Sequence, residues 1–228
     1  MKRPEARVVE PRPAPYLLQC VEAIYRLGRE RAPLALRQLR KRLGLGRTAT
    51  MQQILALQGM GLVQAQDAER ITLTGEGERV ALALVRKHRL LERFLVDMLK
   101  LPWDRVHDEA RRLTPVLSDE IADGLAKLLG DPSSCPHGNP IPSAALAPPD
   151  EGGTPLHRLR PGQGGIIARI EREEAELLKY LATLGLLPQT KVEVEEIAPL
   201  GGPILIRVGD SRYALGRNVA SRIFVREV

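Results

Sequence analysis

Between residues 131 and 161 the chain becomes so dense in proline and glycine that no helix or strand ladder is expected to run through it. This stretch, DPSSCPHGNPIPSAALAPPDEGGTPLHRLRP, separates two kinds of apolar periodicity. Before it, apolar residues recur at the three- and four-residue spacing of helices. After it, they alternate with polar ones between Gly and Pro turns, as in strands. With 228 residues to divide, each side is long enough for a core of its own. The expected fold class is α+β: helices first, a linker, then a small, mostly β domain.

Charge is divided as unevenly as periodicity. Residues 1–75 carry 13 Lys/Arg against six Asp/Glu, a balance of +7, so the remaining residues sum to −1 of the total +6. A basic first third points to a polyanion, most simply nucleic acid. Within it, residues 1–15 read as a Pro-rich, charged arm and YLLQCVEAIYRL as a helix stopped by Gly28. LALRQLRKRLGL is a second helix, with Leu36, Leu39 and Leu43 on one face and Arg37, Arg40, Lys41 and Arg42 on the other. After the Gly44-Leu45-Gly46 turn, RTATMQQILALQGMGLV is a third helix, polar at its start and apolar behind. Two short helices about a Gly turn make a helix-turn-helix, whose second helix enters the major groove by its N-terminus. Arg47, Thr48, Thr50, Gln52 and Gln53 are the expected DNA contacts there, with Arg37 on the phosphate backbone. The pair of strand-like runs in LVQAQDAERITLT is the wing. A small helical bundle with a basic face is the plainer alternative.

Thr74 is a candidate N-cap for a long helix from Gly75 to about Leu99, followed by helices at Trp103–Leu113 and Ser118–Leu129. The long helix is more apolar than a small winged domain can cover, so a further helical layer or a second subunit is expected. On it, His88 and Glu92 stand four apart and share a face, and His107 lies just beyond the break at Lys100-Leu101-Pro102. Imidazole and carboxylate donors suit manganese, iron or zinc. The plainer reading is a surface His–Glu contact and a solvated helix start at His107-Asp108-Glu109. Cys135-Pro136-His137 lacks a second thiol pair and reads as a turn. Past the linker, GGIIARI, KVEVEEIA, PILIRVG, SRYALG and ASRIFVREV are strands of an SH3-like barrel. EREEAELLKYLATLG is its one helix, with Glu171 and Glu174 three apart on one face.

The order helix-turn-helix, wing, RKHRLLERFL, VHDEARRL, LSDE and CPHGNPIP closely resembles the diphtheria toxin repressor family, which includes the manganese transport regulators. The resemblance covers nearly the whole chain, as in long members that end in an SH3-like (FeoA-type) domain. It implies a winged helix at 1–75, a helical metal-binding and dimerisation domain at 76–130, a linker at 131–161 and the FeoA-type domain at 162–228. It implies a cytoplasmic homodimer that binds double-stranded, palindromic operator DNA when loaded with Mn(II) or Fe(II), other divalent transition metals substituting in vitro. His88, Glu92 and His107 match the ancillary metal ligands of the family, with Glu171 and Glu174 the best match for those from the C-terminal domain. The family's primary site does not carry over: its positions fall on Gln19, Arg111, Thr114 and Pro115, and Arg111 repels a cation. Glu22 alone matches a ligand of the manganese-type members.

Two readings stay open at this point: a metal-dependent regulator working through the surviving ligands, and a metal-independent winged-helix regulator with a structural or vestigial site. An enzyme is disfavoured, because the chain has no phosphate-binding loop and no nucleophile motif. No apolar run of membrane-spanning length occurs in the sequence, and neither a membrane nor a small-molecule substrate is expected as a partner. Cys20 and Cys135 are too few and too far apart for a disulfide framework.

Overall fold

The computed structural model describes residues 13–30 and 33–227, so the arm expected at 1–15 lies almost wholly outside the described residues. The chain forms two compact units, residues 1–84 and 85–228.

In the first unit, α1 (Pro15–Glu30), α2 (Leu36–Leu43) and α3 (Arg47–Gly59) precede a two-stranded antiparallel ribbon, β1 (Val63–Asp67) and β2 (Arg70–Leu73). Helix α1 runs through Gly28 instead of stopping there. Gly44 ends α2 in the left-handed conformation (φ 68°), which a residue with a Cβ adopts only at a penalty, and its N–H closes on the Arg40 carbonyl. Leu17, Val21, Ile24, Leu36, Leu39, Ile54, Leu57, Leu62, Val63 and Ile71 form the core. The ribbon pairs Val63 with Leu73 and turns at Asp67–Arg70, where Asp67 accepts from the Glu69 N–H and pairs with Arg70 at 3.1 Å. This is the winged helix that the sequence leads one to expect.

Helix α4 (Gly75–Asp97) is started by Thr74, whose Oγ1 accepts from the Gly77 N–H at 3.0 Å. Such a cap is worth about 1 kcal/mol. Among the described residues no helix is long and apolar enough to cross a membrane. The next helix is shorter than the sequence suggests: α5 covers only Val106–Leu113, because residues 103–105 form a turn. Helix α6 (Asp119–Leu128) is capped by Ser118, which accepts from the Ile121 N–H.

The Pro/Gly-rich stretch is not slack in its first part. Ser134 bridges Pro140, Cys135 N–H donates to Asn139 O, and Ile141 N–H donates to Ser133 O, which closes residues 133–141 into a loop. The Arg89 guanidinium donates to Pro140 O and pairs with Glu151 at 3.1 Å, and Arg86 donates to Pro142 O. Prolines forbid a ladder here, but they leave carbonyls free to accept from arginines of α4.

The sheet follows: β3 (Thr154–Pro155), β4 (Gly164–Ile170), β5 (Lys191–Ile197), β6 (Ile204–Val208), β7 (Ser211–Leu215) and β8 (Ile223–Arg226). Its order is β3-β8-β4-β5-β6-β7, antiparallel throughout. Helices α7 (Ala175–Thr183) and α8 (Arg217–Ala220) cover it, α8 being an element not anticipated. Alternate residues Ile204 and Ile206 of β6 and Val192 and Val194 of β5 are buried, as period two requires, with Leu178 and Leu181 of α7 against them.

Candidate metal centre and DNA-contact face

Two positions on α4 begin the site. His88 and Glu92, one turn apart, are 1% and 0% exposed, and His88 Nε2 lies 2.9 Å from Glu92 Oε1. From α5, His107 Nδ1 comes within 3.1 Å of His88 Nε2 and 3.0 Å of Glu92 Oε1. From the turn after β4, Glu173 Oε2 reaches His107 Nδ1 at 2.6 Å. Four donors from three segments thus meet in one buried spot, so the plainer surface-pair reading of His88 and Glu92 does not hold. The same spot is lined by Cys135 and His137, both buried. His137 Nδ1 is 3.6 Å from Glu92 Oε1, 3.5 Å from Glu173 Oε1 and 3.9 Å from Cys135 Sγ.

Hydrogen bonds on the outer edges of the imidazoles decide which nitrogens face inward. Nε2 of His137 donates to the Trp103 carbonyl at 2.8 Å, which leaves the Nδ1 lone pair toward the carboxylates. The Thr114 hydroxyl donates to Ala110 O at 2.7 Å, so toward His88 Nδ1, 3.4 Å away, its oxygen accepts. That contact places the proton of a neutral His88 on Nδ1 and turns a bare Nε2 to Glu92. Asn139 Nδ2 donates to Glu173 Oε1 at 2.5 Å and to Ile170 O at 3.0 Å, which fixes the third segment. Gly138 allows the loop to lie so close, since a Cβ there would come within 2.0 Å of Ala168 O, and its φ is +82°.

The cluster fits a divalent ion. Glu92 Oε2 is buried without a hydrogen bond, and Glu173 Oε2 is 2.6 Å from His107 Nδ1. At that distance Glu173 and His107 form a charged pair. Such crowding of lone-pair donors suits a cation shared among them. Donors about 2.1 Å from one octahedral ion lie about 3.0 Å apart in adjacent positions, and the separations here run from 2.6 to 3.1 Å.

Without an ion, protons hold the site together. Burial opposes ionisation of Glu92, yet the charge of His88 and hydrogen bonds from His107 and His137 keep its carboxyl well below the usual range. Glu173 is also lowered: burial and the Glu92 charge oppose this, and the His137 charge and the His107 bond outweigh them. Burial works against a charged His107, but hydrogen bonds to Glu173 and Glu92 lift it to about 9. His137 rises for like reasons, against the same penalty from burial. Burial, then the Glu92 charge, pushes the Cys135 thiol up to about 11.

Three expected ligands lie elsewhere. Glu171 pairs with Arg222 at 3.6 Å, and Glu174 is exposed. A single helix over 171–185 would put these two on a common face, but the helix starts only at Ala175. Residues 171–172 form a bend with Arg172 at φ 59°, and the bend points the intervening Glu173 inward. Glu22 belongs to the first unit, where it pairs with Arg26 at 2.9 Å. The sequence reading missed Cys135 and His137 by requiring a second thiol pair.

On the first unit, Arg37, Arg47, Thr48 and Gln52 are exposed and Gln53 is half-buried. Thr50 is a correction: it is 0% exposed, its hydroxyl donates to Gly46 O at 2.9 Å, and it serves the core. Of the positions matching the family's primary site, Gln19 is exposed on α1. Arg111 is exposed and 3.6 Å from Asp108, and Thr114 is buried against His88.

Residues 74–143 match the model of the iron dependent repressor metal binding and dimerisation domain, and residues 154–227 that of the FeoA domain. The iron-dependent repressor IdeR of Mycobacterium tuberculosis is 30% identical over 220 residues, 91% of this chain and 95% of that one. The diphtheria toxin repressor of Corynebacterium diphtheriae is 37% identical over 122 residues, 54% of each chain. Among solved structures, a manganese-dependent transcriptional repressor in complex with manganese superposes with a TM-score of 0.85 at 31% identity, covering 93% of this chain and all of that one. The manganese regulator SloR gives 0.80 at 26%, covering 95% of this chain and all of that one. With this agreement over nearly its full length, the chain belongs to the diphtheria toxin repressor and iron-dependent repressor family of metal-dependent transcriptional regulators.

Proposed function

We propose that this chain binds double-stranded operator DNA as a homodimer in the bacterial cytoplasm when Mn(II) or Fe(II) occupies the buried cluster, and that it represses metal-homeostasis genes. The observation that carries the reading is the meeting of His88, Glu92, His107 and Glu173 donors within hydrogen-bond distance in a buried site. A bound ion supplies the positive charge that, without it, protons on His107 and His137 provide. Nitrogen and oxygen donors suit Mn(II) and Fe(II). No group in the cluster is a nucleophile poised for turnover, and we propose no enzymatic role.

The DNA-contact residues are Arg47, Thr48, Gln52 and Gln53 at the start of α3, with Arg37 on phosphate. The cluster, not the altered primary site, does the sensing. Arg111 brings a cation where the family pattern has a ligand, and Thr114 serves His88 instead. A homodimer presents two recognition helices to the half-sites of a palindrome. The dimer face we assign to α5, α6 and the turn between them, where Leu113, Val116, Ile121 and Leu128 are exposed.

The test is binding to DNA from upstream of the gene at fixed salt, with chelated protein and again with Mn(II) or Fe(II). A gain of about tenfold or more, equal to about 1.4 kcal/mol of coupling, is expected. His88→Ala and Glu173→Gln should each remove it. Equal affinity with and without metal would establish a metal-independent regulator.

A further inference from the structure

Helix α3 carries apolar residues on both of its faces. Ile54 and Leu57 are buried in the core, while Leu55 is 59% exposed on the outer side. Around the helix axis Leu55 stands within about 20° of Thr48 and about 60° of Gln52. Thr48 and Gln52 are exposed too, Met51 is half-buried beside them, and Gly59 continues the stripe. A single exposed leucine calls for no partner. This one belongs to a stripe without charge: Arg47 is the one charged residue among the 13 of α3, against four among the eight of α2. A helix with apolar residues on its outer as well as its inner face is suited to being covered on both.

We infer that Leu55 is a specificity-determining residue of the DNA-contact face, and that it reads the 5-methyl group of a thymine in the operator. The inference rests on the DNA-binding reading above and adds an apolar contact to the polar ones.

The cations around the stripe name its occupant. Arg37, Lys41 and Arg42 of α2 are exposed, as is Arg47 at the head of α3. A second copy laid on this face would set like charges together, whereas DNA phosphates neutralise them. Within the major groove the base edges present donors, acceptors and one apolar group, the thymine methyl. Leucine forms no side-chain hydrogen bond, so against any other edge it would bury a donor or acceptor without a partner. Helical side chains lean toward the N-terminus, which carries Leu55 back over the turn of Met51 and Gln52. Along the axis it stands about 10 Å beyond Thr48, the length of about three base pairs.

The full chain with Mn(II) is bound at fixed salt to duplex DNA from upstream of the gene, each thymine being replaced in turn by deoxyuridine. That change removes one methyl and leaves every hydrogen-bonding group in place. At one position in each half-site a loss of about fourfold is expected, the worth of one buried methyl group. Leu55→Ala should lose at least as much on unmodified DNA and become indifferent to uracil at that position alone. With 5-methylcytosine there, the parent chain should bind more tightly than with cytosine, a preference that Leu55→Ala lacks. Because Leu55 is exposed, the variant should melt with the parent; Leu55→Asn repeats the comparison if it does not. No uracil-sensitive position, or one to which Leu55→Ala responds as the parent does, would overturn the inference and leave the DNA-binding reading intact. If the chain holds this DNA no more tightly than a scrambled duplex, with and without Mn(II), both fail.

Discussion

The two units put their polar chemistry in opposite places. Among the described residues of 1–84 the core is apolar apart from Thr50, and the charges of α2 and the start of α3 face water. In residues 85–228 two glutamates and two histidines lie buried at the meeting of α4, the 133–141 loop and the end of β4, with a third histidine at their edge. Surface charge is cheap to keep and attracts a large, hydrated polyanion. Buried charge is kept only when paired or when it coordinates a metal. The difference therefore separates the part suited to meet DNA from the part suited to hold an ion.

The largest effect that sharpens this contrast is stabilisation by metal. At a free Mn(II) concentration 100 to 1,000 times its dissociation constant, binding adds about 3–4 kcal/mol to whatever holds the site. Hydrogen exchange with and without Mn(II) should show the gain at amides of α4 beyond Val85, α5 and β4, and little at α1 to α3. Equal protection of both units would break the comparison.

Proton competition comes next. The raised His107 contributes stability to the metal-free protein that is fully present below the imidazole's ordinary range, near 6.5, and is lost as pH rises through about 9. A metal ion has to displace the same proton. Mn(II) affinity should accordingly rise about tenfold per pH unit for each proton displaced, about 1.4 kcal/mol per unit, and level off above about 9 as far as His107 is concerned. Calorimetry in buffers of different ionisation enthalpy measures the protons released. Affinity that is flat with pH would contradict the ion-pair description.

Thr114→Val probes orientation alone. It preserves shape but removes the acceptor that holds His88 Nδ1, and metal affinity should fall about 10- to 100-fold. Thr114→Ser should restore most of it. On the first unit the effects divide by role. Gln52→Ala should cost about 1–3 kcal/mol at one base position of the operator. Arg37→Ala should weaken all sequences alike and lower the salt slope by about 1. Neither variant should alter metal affinity, and a change there would join two functions that we place apart.

Local pattern sufficed wherever one element's own residues determine the outcome. The Leu36, Leu39 and Leu43 stripe, the Gly44 cap, the Thr74 and Ser118 caps and the alternation along β4 to β8 appear in the fold as read. The resemblance located His88, Glu92 and His107, and the structure brings all three together. It also suggested Glu171 and Glu174, where a bend of two residues before Ala175 shifts the inward position to Glu173. Thr50 has the composition of a contact residue and the burial of a core one.

The sequence by itself determined the two periodicities, the basic first third and the turn of helix that puts His88 beside Glu92. These depend on backbone geometry within a single element and on net charge, both of which are local. Only the tertiary structure decided that CPHGNPIP is a wall of the metal site and not slack linker. Arginines of α4 hold its carbonyls, Gly138 lets it press on β4, and a carbonyl across the fold turns the Nδ1 of His137 inward. Ligands from four segments meet only when the chain has folded, because their geometry is fixed by packing between elements that no spacing along the chain encodes.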